Sequence, residues 1–133
     1  MTSVFTRIIN GELPGRFVHR DDVCVAFLSI GPINPGHTLV VPIQEADRWT
    51  DVEPAAWTHC ATVAQTVGRA LEAAFGQRVA VLVAGLEVPH CHIHLIPFAS
   101  EGELRFERAR LDTPSEELDD VAERIRKALQ LPN

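Results

Sequence analysis

The chain has 133 residues, 46% hydrophobic and 23% charged, with a formal net charge of −6. Such a length and composition fit one globular domain, residues 1–133, large enough to bury a real core. The acidic balance argues against broad electrostatic binding to nucleic acid or to an anionic membrane, while a local pocket can still accept a small anion.

Met1 to Arg7 lacks the basic-then-apolar order of a signal peptide, and no apolar run approaches the roughly 20 residues of a bilayer span. Cys24, Cys60 and Cys91 are odd in number and scattered. They read as buried, reduced thiols of a cytoplasmic protein rather than a disulfide framework. Val4 to Asn10 reads as a short helix with Phe5, Ile8 and Ile9 on one side, ended by Gly11 and the turn Leu13-Pro14-Gly15. Arg16 to Arg20 and Val23 to Leu28 are strands joined by an Asp21-Asp22 turn, a hairpin signal. Gly31 to Gly36 is a loop that delivers His37 to the strand Thr38–Val41, which Pro42 terminates. His19 and His59 read as ordinary surface or helix-face residues.

Residues 51–75 carry apolar side chains at three-to-four spacing, from Ala56 and Cys60 through Val63, Val67, Ala70 and Leu71 to Ala74, so they form the main helix. Asp51 or Glu53 caps it, Pro54 lies in its first turn and Gly76 ends it. Val79 to Ala84 is a continuous apolar run and reads as a buried strand. Phe98 to Leu111 is charged and irregular, a mobile loop by composition. Thr113-Pro114-Ser115-Glu116 is a capping box for a final helix reaching about Leu129. The order of elements is α+β with an antiparallel sheet.

Between these lies Val88-Pro89-His90-Cys91-His92-Ile93-His94-Leu95-Ile96-Pro97. Three of the chain's six histidines alternate here. Alternation is the strand period, so His90, His92 and His94 point one way while Cys91, Ile93 and Leu95 point into a core. Zinc is one use for such a row. At a rise of roughly 3.3 Å per residue, however, the outer Cα atoms are about 13 Å apart, too far for one ion to take all three rings. A phosphate laid across the row meets a nucleophile, an acid and an anion partner together.

The run Val88 to Ile96 resembles the signature of the histidine triad (HIT) family. Phe5 to Pro14 resembles the family's amino-terminal segment, and Ala26–Ile30 and Asn34–Pro42 resemble its central strands, so the likeness spans residues 4–98. The resemblance implies a HIT-like α+β fold, with an antiparallel sheet, one long central helix and a C-terminal helix, and a homodimer. It implies a purine nucleotide or nucleoside phosphate derivative as partner. The activity implied is hydrolysis or transfer on nucleoside phosphoramidates or related compounds through a nucleotidyl-histidine. His92 corresponds to the nucleophile, His94 to a phosphate or leaving-group partner and His90 to an orienting residue. On residue type alone His37 reads as a histidine packed under its loop. The resemblance moves it to nucleotide binding, together with Phe5, Ile8, Phe27, Ser29, Ile30, Glu87 and Val88.

Some members of the family hold a structural zinc with two amino-terminal cysteines and two histidines. Ser3 and Thr6 occupy the cysteine places here, so neither that zinc nor any other metal or cofactor is expected. Ser29 stands where many members bind ribose with an acidic or amide side chain, and Leu86 stands where many have glutamine. Val83-Ala84-Gly85 is shorter than the usual loop and lacks its asparagine. These departures keep two alternatives open, a nucleotide-binding sensor with little catalysis and a metal-binding protein using triad histidines.

Overall fold

The computed structural model describes residues 2–130. Five strands form one antiparallel sheet: β1 (Phe17–Arg20), β2 (Cys24–Leu28), β3 (Thr38–Pro42), β4 (Arg78–Leu82) and β5 (Ile93–Phe98), in the order β1-β2-β3-β5-β4. Helix α1 (Val4–Ile9) lies on one face, and α2 (Pro54–Phe75) and α3 (Ser115–Gln130) lie on the other. The α+β architecture read from the sequence is the one observed. No helix among the described residues is long and apolar enough to cross a membrane.

Strand alternation decides which residue meets which layer. Cys24, Ala26 and Leu28 of β2, with Val40 of β3 and Ile93 and Leu95 of β5, pack against the stripe of α2 made by Cys60, Val63, Ala64, Val67 and Leu71. The intervening Val25, Phe27, Leu39 and Val41 point the other way and pack on Phe5 of α1. All three cysteines are free and buried. Helix α3 covers α2 through Leu118, Val121, Ala122 and Ile125, and is tied to β1 by Arg16 on Asp119 at 2.7 Å and by Arg126 Nε on the Phe17 carbonyl at 2.9 Å.

Several boundaries differ from the sequence reading. The histidine strand begins at Ile93, not at Val88. The observed register pairs Val40 with Ile93 and Leu39 with His94, so one continued would set Pro42 opposite Cys91. Pro42 has no N–H for the ladder, and the Cys91 N–H donates instead to the Ala46 carbonyl at 2.7 Å. The run 79–84 is not a buried strand. As β4 it takes the edge of the sheet and leaves Val81 66% exposed.

The segment after β5 is held rather than loose. The Asn34 amide donates to the Pro97 carbonyl at 2.8 Å and to Glu103 at 3.1 Å, and Arg108 reaches both Asn34 and the Glu103 carbonyl. Two single-turn 3-10 helices, Glu101–Glu103 and Phe106–Arg108, follow from these ties. Finally, Thr113 does not form the expected box; its hydroxyl donates back to the Arg110 carbonyl at 2.6 Å. Helix α2 closes at Gly76 as foreseen, at φ 64°, but starts at Pro54 rather than residue 51: Asp51 ends a separate 3-10 turn, and the Glu53 side chain makes no capping bond.

Gly36 shows how closely the loop before β3 is fitted. Its φ is +94°, and a Cβ there would lie 2.9 Å from the Phe75 ring and 3.0 Å from Pro97 Cγ. Gly36→Ala is therefore expected to destabilise the fold by about 1–3 kcal/mol. Gly68→Ala, inside α2 with nothing within 4 Å of the new Cβ, is expected to stabilise it by about 0.5–1 kcal/mol. Urea unfolding of the two variants checks this; equal midpoints would contradict the assigned backbone strain.

Candidate active site

His94 lies on β5 opposite Leu39, so its ring emerges on the α1 face of the sheet, away from α2. His90 and His92 precede the strand, yet the two-residue alternation persists: Cys91 turns to the α2 side with Ala46 and Val52, and the histidines keep the other side. The His92 and His94 rings are 4.7 Å apart, edge to face. The triad rings are buried, as is His37, whose ring centre is 5.1 Å from that of His94.

Hydrogen bonds fix which nitrogen of each neutral ring carries the proton, the assignment resting on the network. The Ile33 N–H donates to His37 Nδ1 at 3.0 Å, which leaves His37 Nε2 protonated and donating to His94 Nδ1 at 2.9 Å. His94 therefore carries its own proton on Nε2, as a donor. His92 Nδ1–H donates to the His90 carbonyl at 2.8 Å, which leaves the Nε2 lone pair bare. His90 Nε2–H donates to the Pro42 carbonyl at 2.7 Å, and its Nδ1 accepts from the Ser3 hydroxyl at 2.6 Å. Of these four rings, only His92 Nε2 and His94 Nε2 remain uncommitted, one as a lone pair and one as an N–H.

Electrostatics keeps His37, His92 and His94 in that state. Burial, reinforced by His94 and His92, pushes His37 down to about 3. Burial beside His92 pushes His94 down to about 4. Burial also lowers His92, against a smaller opposing effect of its bond to the His90 carbonyl. At neutral pH the pair is a nucleophilic imidazole beside a neutral donor.

Helix α1 closes one side of the site. Ser3 caps it by accepting from the Thr6 N–H at 3.0 Å while its own N–H donates to Glu45 at 2.6 Å. The same hydroxyl anchors His90, so one side chain fixes both the helix and the ring. Phe5 then stands edge-on to His92 at 4.9 Å. Ser3, Thr6, Glu45 and His90 thus gather where the resemblance would put a zinc site. Hydroxyls are poor zinc ligands, so Ser3 and Thr6 do not offer that zinc the donors a cysteine pair would.

Of the other nucleotide-binding candidates, Phe27 sits behind Phe5 and Phe17 in the core, and Ile8 is half-buried beside it. The Ser29 hydroxyl accepts from the Gly31 N–H at 3.2 Å. Ile30 is 72% exposed, Val88 packs on the Phe5 cluster and Glu87 is exposed. Leu86 is 98% exposed. Sequence reasoning missed Phe106, which packs edge-on to His94 at 5.1 Å and is 45% exposed. Its signal was slight: an aromatic ring set among the charges of residues 99–112.

A family model described as the HIT domain matches residues 10–101. An uncharacterized HIT-like protein of Methanocaldococcus jannaschii is 37% identical over 107 residues, covering 76% of this chain and 83% of that protein. The asymmetrical bis(5'-nucleosyl)-tetraphosphatase of Schizosaccharomyces pombe is 33% identical over 85 residues, 59% of this chain and 47% of that enzyme. An adenylylsulfatase of Arabidopsis thaliana is 29% identical over 128 residues, 86% of this chain and 64% of that enzyme. Among solved structures, a Hit-like protein from Bartonella henselae superposes with a TM-score of 0.85 at 31% identity, covering 96% of both chains. A hypothetical histidine triad nucleotide-binding protein from Sulfolobus tokodaii superposes with a TM-score of 0.83 at 26% identity, covering 95% of this chain and 91% of that one. Matched by that family model over residues 10–101 and by the archaeal and Bartonella proteins at more than 30% identity, the chain belongs to the histidine triad family.

Proposed function

We propose that the protein hydrolyses or transfers nucleoside phosphoramidates or related nucleoside phosphate derivatives through a nucleotidyl-histidine. The observation that carries this is the pairing of one bare ring nitrogen, His92 Nε2, with one ring N–H, His94 Nε2, on rings 4.7 Å apart. His92 Nε2 attacks the α-phosphorus and the bond to the leaving group breaks. As His92 gains positive charge, its Nδ1–H bond to the His90 carbonyl strengthens. His94 Nε2–H donates to a phosphate oxygen or to the departing atom. Water then attacks the same phosphorus, the P–N bond breaks with its electron pair returning to His92 Nε2, the water's proton passes to solvent, and the nucleoside monophosphate leaves with His92 neutral again. His90 acts as a positioning residue, since both its ring nitrogens are already bonded. His37 positions His94 in the same way. The named activities of the yeast and plant relatives, both on nucleoside phosphate derivatives, support the reading.

A nucleotide-binding protein with little turnover is the second reading, and Leu86 favours it: an exposed aliphatic side chain offers no hydrogen bond to a leaving group. A metal site on the triad is disfavoured, because two free ring nitrogens do not close a four-coordinate site.

Turnover of adenosine 5'-phosphoramidate separates these. Wild type is expected to release AMP and His92→Ala to lose at least about a thousandfold in kcat. Tight AMP binding with no turnover in wild type would favour the sensor reading, and equal rates in both proteins would remove the role of His92. His37→Leu is expected to lower kcat more than it changes KM, because His94 then loses the donor that sets its tautomer; an unchanged kcat would contradict the relay.

The pH dependence has a definite sign. The buried rings bind protons only well below the ordinary histidine value, about 3 for His37 and about 4 for His94. The unfolded chain takes them up near 6.5, so stability holds above that value and falls as the pH drops from about 6.5 toward 4, by a few kcal/mol in all. Urea midpoints measured across that window check this. A midpoint that rises on acidification would contradict it.

A further inference from the structure

On the α2 side of the sheet, at the turn of the β1–β2 hairpin, a second group of ligating side chains converges. His19 belongs to β1, Asp21 to the turn after it, Cys24 to the start of β2, and His59 to the first half of α2. One donor atom from each lies within 4.8 Å of every other. His19 Nε2 and His59 Nε2 approach the same oxygen, Asp21 Oδ2, at 2.6 and 2.7 Å. Asp21 is aimed by its backbone: Oδ1 accepts from the Val23 and Cys24 N–H groups, both at 2.8 Å. Both histidines are half-buried rather than ordinary surface residues, and although 40 positions apart they share one carboxylate.

A hydrogen-bonded staple accounts for the two imidazoles and Asp21. It gives no part to the fully buried Cys24 thiol beneath them. Two imidazoles, a carboxylate and a sulfur form the donor set of a borderline-soft, four-coordinate ion; the single carboxylate is too little oxygen for calcium or magnesium.

We propose that His19 Nε2, Asp21 Oδ2, Cys24 Sγ and His59 Nε2 form a closed tetrahedral site for a divalent transition ion of the zinc class. Bonds of about 2.0–2.3 Å place tetrahedral ligands about 3.4 Å apart. Closing on the ion therefore requires the two histidines to draw back from Asp21 by less than about 1 Å and the wider donor pairs, within 4.8 Å of one another, to close by up to about 1.4 Å, shifts that the partly exposed histidine side chains can take up. Charge balances: a carboxylate, a thiolate and two neutral imidazoles cancel the two positive charges. The Cys24 proton is released to solvent, and each imidazole moves its N–H to Nδ1. Asp21's second oxygen and its backbone donors supply the outer shell that orients the ligands. With four protein ligands no position is left for substrate, so the ion ties the β1–β2 hairpin to α2. The site shares no residue with the triad and stands apart from the phosphate chemistry proposed above.

Metal-stripped full-length protein titrated with Co2+, and then with Zn2+ against a chromophoric chelator, tests this. The expected result is one ion per chain, a tetrahedral cobalt spectrum with a thiolate charge-transfer band, and a thermal midpoint raised by zinc. His59→Gln changes a partly exposed residue and should still fold. It should weaken binding by about a hundredfold or more, given that even outer-shell partners are worth about ten- to a hundredfold. Cys24→Ser should remove the charge-transfer band. His92→Ala should leave both the spectrum and the zinc-dependent rise intact. Absence of tight cobalt binding, binding unchanged in His59→Gln, or binding lost in His92→Ala would each overturn the proposal.

Discussion

The donated proton of the Ile33 amide governs the site. It occupies His37 Nδ1, and that single bond sets the proton on His37 Nε2, then the acceptor at His94 Nδ1, then the free N–H at His94 Nε2. An imidazole in water exchanges its tautomers freely; two buried rings in a directional chain do not. The backbone loop before β3 thus decides what a ring on β5 presents to a ligand. At His92 the opposite result follows: the His90 main-chain carbonyl takes the Nδ1 proton and leaves a bare nitrogen. Two buried rings of the same residue type are made chemically unlike by two main-chain groups, one acting directly and one through the His37 ring.

This arrangement depends on the core behind it. The rings hold low proton affinity because α1, capped by Ser3, lays Phe5 against His92 and excludes water. Ser3 also anchors His90, so helix capping and ring placement rest on one hydroxyl. On the far side of the sheet, α2 and α3 press Ile93 and Leu95 into the larger core and so keep His94 facing the other way. The polar network is directional because its apolar backing is fixed by strand parity.

Much of this was legible from the sequence, and for a definable reason. The two-residue period and the three-to-four period are local, so the side on which each histidine lies, the stripe of α2 and the hairpin around Asp21 could be read directly. What escaped involves groups distant in the chain. The start of β5 is set by Pro42, a residue on another strand with no N–H to offer Cys91. The order of residues 99–108 comes from Asn34 across the fold. Val79 to Ala84 has the composition of a buried strand but occupies an edge, which is a property of topology rather than of composition. The meeting of His19 with His59 likewise needs the hairpin and the helix to be in place together. The stacking of Phe106 on His94 carried only the faintest local mark.

The buried cysteines carry one more consequence. Cys24 and Cys60 lie in the core between sheet and α2, while Cys91 lies in a small cluster with Ala46 and Val52, one residue from two of the triad rings. A thiol enclosed in this way is alkylated only during excursions that admit reagent. Cys91 would be reached when the triad segment alone loosens, whereas the other pair would be reached only when sheet and helix part. The chain therefore contains its own gauges of local and global breathing.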